Sequence, residues 1–398
     1  MHNRAISIAH DPVRKRFLPF HCPVITENEI AAVVKVLESG WLTTGSKVKQ
    51  FEDEFRRFVG SAYAVAVNSG TAALHLALAA VGIQEGDEVI VPTMTFAATA
   101  EVVLYLRARP VLIDCEPGTL NMDPGKLETA IGPKTKAVIP VHFGGHPCDM
   151  QRILEIGRAH RLKVIEDAAH ALPAAYQGRT IGGIGDITCF SFYATKTITT
   201  GEGGMATTEN PEWANTMRIL SLHGISHDAW KRYSAEGSWY YEILSPGYKY
   251  NLTDVAASLG VEQLEKCRDF YQARKRIAEA YREGFSDLPE IVTPPSDPKV
   301  QHAWHLYVIQ LDLDRLTIDR GQFIEALKEE NIGTSVHFIP LHLHPYYRDT
   351  FGYRPEEFPI AYSAFERIVS LPIYPRMTTA DVDDVIGAVR AIVEKYRR

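Results

Sequence analysis

Between residues 62 and 167, short apolar β-prone runs alternate with helical ones, and this rhythm limits the possible folds more than any other feature of the chain. "AYAVAV" leads into "TAALHLALAAVG" and "EVIVP" into "TFAATAEVVLYLRA"; "RPVLID", "KAVIPVHF", "MQRILEIGRAH" and "KVIEDA" follow. Strands that are apolar on both faces and separated by helices belong to a parallel sheet covered on each side, so an α/β domain is expected. "ITCFSF" and "GMATT" add two further strands. Ahead of the alternation, Thr26 to Glu29 has a capping-box pattern, Ile30, Val33, Val34 and Leu37 follow at helical spacing, and Gly40 ends the run. That stripe predicts a helix with one buried face.

After about residue 250 the rhythm changes. A long helical pattern, "VAASLGVEQLEKCRDFYQARKRIAEAYREGF", runs to a proline-rich break at "VTPPSDP". A strand "HLYVIQLD" and a helix "DRGQFIEALKEEN" come next. A closing helix then carries Val382, Val385, Ile386, Val389 and Ile392 on one face, with acids early and bases late as the helix dipole favours. The reading is an N-terminal arm over 1–20, a large α/β domain over 21–250 and a smaller α+β domain over 251–398.

The balance of Lys+Arg 42 against Asp+Glu 49 gives a net charge of −7, a field that repels polyanions, so no nucleic-acid partner is expected. Cys22, Cys115, Cys148, Cys189 and Cys267 are scattered and contain no Cys-x-x-Cys pair, which fits a reducing compartment better than a disulfide framework or a thiolate metal site. No apolar run reaches the length of a signal peptide or a membrane span, so the expectation is a cytoplasmic protein without membrane partners.

Four features carry chemistry. "NSGTAALHLAL" passes from a strand through Ser69, Gly70 and Thr71 into a helix, where free N–H groups and the helix dipole make either a phosphate cradle or a plain N-cap. Asp167, in "VIEDAAHAL", ends an apolar strand, where open α/β sheets place ligands, though an N-capping role is equally open. His170 follows three residues later and would by itself be structural. "SFYATKTITTGEGG" sets Ser191 and Lys196 before a glycine cluster, the reverse of the order in a nucleotide P-loop, so an ATPase is excluded. The absence of Gly-x-Gly-x-x-Gly after the first strand disfavours a dinucleotide oxidoreductase.

Taken together, an anion cradle, a strand-end acid, a serine and a lysine are the handles that pyridoxal 5′-phosphate needs for its phosphate, ring nitrogen and aldehyde. With these residues in view, the chain resembles the DegT/DnrJ/EryC1/StrS sugar aminotransferase family of fold type I pyridoxal phosphate enzymes. The resemblance runs from "SGWLTTGSKVKQFEDEF" through "PTMTFAATA" and "GYKYNLTDVAASLGVEQL" to "LPIYPRMTTADVDDVI". It implies a mostly parallel seven-stranded sheet sandwiched by helices, with a smaller C-terminal α+β domain.

It also implies roles. Lys196 would link covalently to the cofactor and then carry the proton, while Asp167 would pair with the ring nitrogen. His170 would bond the ring oxygen, Phe96 would stack on the ring face, and Gly70, Thr71, Ala72 and Ser191 would hold the phosphate. Asn251 would reach the phosphate from a second subunit, which implies a homodimer with active sites at the interface. The implied reaction is a ping-pong transfer of the amino group of L-glutamate to a nucleotide-linked, UDP-type 4-keto sugar in polysaccharide biosynthesis. A related branch that deoxygenates sugars carries His in place of the lysine; the presence of Lys196 favours transamination over that dehydratase reading, and a non-catalytic regulatory member is the remaining alternative.

For the sugar, Trp41, Thr43 and Thr44 of "GWLTTG" are candidates, with a simple turn between helices as the competing reading. His337 is a further candidate, and Lys231 and Arg232 would contribute from an aromatic-rich loop. His342 and His344 share a face if "SVHFIPLHLH" is a strand, but no carboxylate lies at a useful spacing, so no metal is expected.

Overall fold

The computed structural model describes residues 12–226 and 240–398. The predicted alternation folds into strands β1 (Tyr63–Val67), β2 (Glu88–Pro92), β3 (Arg109–Ile113), β4 (Thr135–Val138) and β5 (Lys163–Asp167), joined by the strands Ile187–Ser191 and Gly204–Thr208. These make one seven-stranded sheet in the order β1, Gly204–Thr208, Ile187–Ser191, β5, β4, β2, β3. Only Gly204–Thr208 runs against its neighbours; every other pairing is parallel. The carboxyl ends of β1, β2, β5 and Ile187–Ser191 therefore open on one edge, and the segments that carry Gly70, Phe96, Asp167 and Lys196 leave the sheet there.

The near-continuous apolar strands bury side chains on both faces, as a parallel sheet requires. One face packs Val65, Leu76, Val89 and Val91; the other packs Phe51, Phe55, Ile90 and Phe190. A third core gathers Tyr281, Tyr307, Ile309, Val385 and Val389 around a small antiparallel sheet of Ile291–Val292, Tyr307–Leu311 and Ile368–Leu371. The closing helix, Thr379–Tyr396, buries Val382, Val385, Val389 and Ile392 there, as its stripe predicts. The helix Cys267–Gly284 bridges the two bodies: Phe270 packs in the sheet's core, Ile277 and Tyr281 in the third.

Helix α1 (Glu27–Ser39) begins with the predicted capping box at Thr26 and ends at Gly40 in the left-handed conformation. Its burial is the reverse of expectation. Ile30, Val34 and Leu37 are exposed, whereas Glu29 and Val36 are buried. The reason is a polar dock: Glu29 accepts from Gln263 Nε2 at 2.7 Å and from Lys266 Nζ at 2.7 and 2.8 Å, tying α1 to the helix Asp254–Glu265. The segment holding His342 also departs from the strand reading, since Leu341–Leu343 is a single 3-10 turn. His342 Nδ1 is instead 2.8 Å from Thr93 Oγ1, and its ring stacks on Phe358.

Helix α2 (Ser46–Val59) packs on Asp254–Glu265 through a glycine. A Cβ on Gly260 would lie 2.7 to 2.9 Å from ring atoms of Phe51, which is fully buried against Phe55 and Phe192. Overpacking costs ~1–3 kcal/mol, against ~1 kcal/mol that Gly→Ala gains in a helix. Gly260→Ala is therefore expected to lower the thermal midpoint. Gly387→Ala, where a Cβ meets nothing within 4 Å, is expected to raise it. Scanning calorimetry on both variants checks the pair, and shifts of the same sign would contradict the packing argument.

Candidate active site

Helix α3 (Gly70–Ala80) starts where β1 ends, with Ser69 Oγ accepting from Ala72 N–H at 3.0 Å. Its first turn presses against the end of Ile187–Ser191 so closely that a Cβ on Gly70 would lie 2.9 Å from Ser191 Cβ. Only glycine permits this approach. The N–H groups of Gly70 and Thr71 and the Ser191 hydroxyl thus share one corner at the positive end of a helix, whereas the N–H of Ala72, also expected to hold the phosphate, is taken by the Ser69 cap.

Asp167 is the last residue of β5 and is buried. Its main chain is pinned by Asp167 N to Pro140 O at 2.9 Å and by His142 N to Asp167 O at 3.2 Å. Its carboxylate accepts from Thr99 Oγ1 at 2.8 Å and from Ala169 N at 3.1 Å. Burial raises its pKa, opposed by Thr99, the Ala169 N–H and the charge of Lys196. Glu166, the preceding acid, points to the other face of the strand and is used structurally, bonded to Gly185 N, Thr188 Oγ1 and His142 Nε2.

Lys196 lies in the turn after Ser191, with its N–H on Tyr193 O at 2.9 Å. Burial lowers its amine to about 8, and the Asp167 carboxylate works in the opposite direction. Asp167 pairs with Cys189 on the neighbouring parallel strand, two residues before Ser191, so the acid and the turn that carries the amine leave the sheet side by side.

His170 is buried, and its ring lies 4.3 Å from that of His305 and is stacked 5.6 Å from that of Phe338. Its Nδ1 is buried without a protein partner. Phe96 stands exposed in the loop after β2, its ring 6.1 Å from that of Phe338.

Beside Lys196 opens a cleft of about 260 Å³ lined by Phe20, His21, Tyr193, Thr195, His305 and His337. Burial lowers His21 and His337 to about 4, Lys196 adding to the effect in both, and also holds His170 and His305 well below the ordinary histidine value. The cleft is therefore furnished with neutral imidazoles, each able both to donate and to accept. Of the sugar candidates, His337 is here, its Nδ1 3.0 Å from Ser370 Oγ.

Trp41, Thr43 and Thr44 do not line this cleft. They form the turn between α1 and α2, where Trp41 Nε1 donates to Thr44 O at 3.1 Å and Thr44 Oγ1 donates to Leu252 O at 2.6 Å. Asn251 belongs to that cluster, with Nδ2 2.7 Å from Thr44 Oγ1 and Oδ1 2.8 Å from Lys249 Nζ. Lys231 and Arg232 lie outside the described residues.

The sequence reading missed His21, His305, Thr95 and Thr99. Thr95 and Thr99 flank Phe96 in a motif already singled out, while His21 and His305 carry no signal of their own.

These residues suit pyridoxal phosphate. An anion cradle that only Gly70 permits, a buried acid for a ring nitrogen, an amine of lowered pKa and an orphan Nδ1 on His170 meet on one sheet edge.

Among similar proteins, the spore coat polysaccharide biosynthesis protein SpsC of Bacillus subtilis is 54% identical, covering 96% of this chain and 98% of that protein. An uncharacterized protein of Methanocaldococcus jannaschii is 55% identical over 97% of this chain and its own full length. In structure, the chain resembles Spr1654 of Streptococcus pneumoniae, assigned as a sugar aminotransferase and solved in PMP and PLP forms. The PMP form aligns with a TM-score of 0.89 at 37% identity, covering 95% of this chain and 99% of that one, and the PLP form with 0.88 at 36%. The family model DegT/DnrJ/EryC1/StrS aminotransferase matches residues 23–390. The chain thus belongs to the DegT/DnrJ/EryC1/StrS family of sugar aminotransferases, with pyridoxal phosphate as cofactor and the α/β fold of fold type I.

Proposed function

We propose that this protein transfers the amino group of L-glutamate to the C4 carbonyl of a UDP-linked 4-keto sugar in a ping-pong sequence. The observation that carries the reading is that Asp167, at the end of β5, and Ser191 and Lys196, at and just after the end of the parallel neighbouring strand, leave the sheet at the edge that also holds the Gly70–Ser191 corner. Similarity to a polysaccharide biosynthesis protein supports a sugar acceptor. Transamination is favoured over dehydration by the lysine at position 196.

The cofactor supplies an aldehyde that ferries the amino group and a ring that withdraws electrons. The chain supplies position and protons. The N–H groups of Gly70 and Thr71 and the Ser191 hydroxyl bind its phosphate, and Phe96 covers a ring face. Asp167 holds a proton on the ring nitrogen, and His170 Nδ1 meets the ring oxygen. Lys196 Nζ takes the proton from Cα of glutamate and, in the second half-reaction, delivers one to C4 of the sugar. The neutral His337 in the cleft engages sugar hydroxyls.

With an amine near 8, free Lys196 nucleophile rises with pH. Cofactor capture by the apoprotein is expected to quicken roughly tenfold from pH 7 to pH 9, then level off. Stopped-flow absorbance measures it; a flat profile contradicts the assignment.

A homodimer is part of the reading. The exposed apolar stripe of Ile30, Val34 and Leu37 supports it, as does the cluster of Trp41, Thr43, Thr44 and Asn251, which lies outside the lining of this chain's cleft and which a second copy would bring to the cofactor. A monomeric mass by light scattering would overturn this part.

The function itself is tested by adding L-glutamate to the holoenzyme. Loss of the cofactor's visible absorbance is expected, followed by its return with UDP-4-keto sugars from a panel that includes 3-keto and dTDP-linked compounds. Bleaching without return on any member would refute the sugar assignment.

A further inference from the structure

The loop that carries Phe96 also carries two buried threonines that the reaction chemistry above does not use. Thr95 and Thr99 sit one helical turn apart at the entry to α4 (Ala98–Tyr105), their hydroxyl oxygens 2.7 Å apart, and Thr99 Oγ1 lies 2.8 Å from Asp167 Oδ2. Both are essentially inaccessible to solvent. An ionised carboxylate only accepts, so the single Thr99 proton is committed to Asp167. With Asp167 ionised, as it is opposite a protonated ring nitrogen, Thr99 then accepts from Thr95, and the chain runs one way.

We infer that Thr95 and Thr99 form a one-way hydroxyl relay that positions Asp167 and holds it in its charged form against burial. This rests on the reading of Asp167 as partner of the ring nitrogen. Asp167 Oδ1 is turned toward the Ala169 N–H at 3.1 Å and Oδ2 toward Thr99, so the two donors set the carboxylate plane from opposite sides. In a buried setting a charge-assisted bond of this kind favours the ionised acid more than a neutral pair would. Thr99 is thus a positioning residue, acting through Asp167. The same short segment presents Phe96, so the group that would cover the ring and the group that aims the acid lie three residues apart.

The test compares two ligands on protein stripped of cofactor. One is pyridoxal phosphate, the other its analogue with the ring nitrogen replaced by C–H, each titrated by fluorescence into wild type, Thr99→Val and Thr99→Ser. Thr99→Val is expected to weaken pyridoxal phosphate by about tenfold and the analogue by less than about twofold, with Thr99→Ser restoring most of the loss. Thr95→Val, which leaves the Thr99 proton in place, is expected to lose about threefold. In the reloaded enzyme, the acid limb of the kcat profile is expected to move to higher pH in Thr99→Val. Unchanged affinity in Thr99→Val, or equal losses for both ligands, would overturn the relay. Equal binding of the two ligands by wild type would instead overturn the role of Asp167. Thr99→Ala serves the same comparison where the valine variant does not accumulate.

Discussion

Replacing Lys196 by alanine is expected to lower turnover by at least about 10⁴-fold while leaving the fold intact. Two roles are lost at once. The amine is the nucleophile for the cofactor's aldehyde, and it is the proton carrier at the reacting carbon. Among the described residues no other amine lines the adjoining cleft, whose polar lining consists of histidines and hydroxyl side chains. Folding is spared because burial disfavours the ammonium and because Asp167 keeps its bonds to Thr99 and Ala169. Borohydride reduction of the holoenzyme followed by peptide mass analysis should find the cofactor on the Lys196 peptide of wild type and nowhere in the variant. A small primary amine should restore part of the activity. Turnover above about 1% of wild type without added amine would remove Lys196 from the centre of the mechanism.

The strands were legible because a parallel sheet buries both faces, which writes "EVIVP" and "KVIEDA" as unbroken apolar runs. Asp167 was legible for the same reason, since an acid stands out at the end of such a run. Thr99 was not: a threonine in the first turn of a helix looks like any other until the end of β5 is laid beside it. His21 and His305 converge from segments 284 positions apart, and no local pattern encodes that meeting.

Helix α1 misled for a different reason. Its 3.6-residue stripe is real, but periodicity reports that a face is apolar and not what covers it. Within one chain a buried Glu29, bonded to Gln263 and Lys266, does the docking and leaves Ile30, Val34 and Leu37 outside. "GWLTTG" was ambiguous on similar grounds: its Thr44 hydroxyl spends its proton on Leu252 O, so within one chain the motif reads as a turn.

Asp167→Asn is expected to lower kcat by about 10³-fold, in both half-reactions, with little change in secondary structure. The amide keeps the shape and an oxygen for the Thr99 hydroxyl, but its NH2 then faces the Ala169 N–H, so the Ala169 bond is lost together with the negative charge that holds a proton on the ring nitrogen. Electron withdrawal by the ring is needed whether glutamate is giving up its amino group or the sugar is receiving it, hence the equal effect on the two halves. Stability should respond through pH. Burial raises the folded-state pKa of Asp167, so above the ordinary carboxylate range the folded apoprotein retains a proton that the unfolded chain releases. This group's contribution therefore falls as pH rises from that range through the raised value. The asparagine variant carries no such pH-dependent penalty but loses the Ala169 bond, so the melting temperature of its apo form should gain on that of wild type as pH rises above the ordinary carboxylate range and fall back relative to it on acidification. Rapid-mixing absorbance on each half-reaction and calorimetry of the apoproteins at several pH values check both arms. A kcat within about tenfold of wild type would show that ring protonation does not depend on this carboxylate.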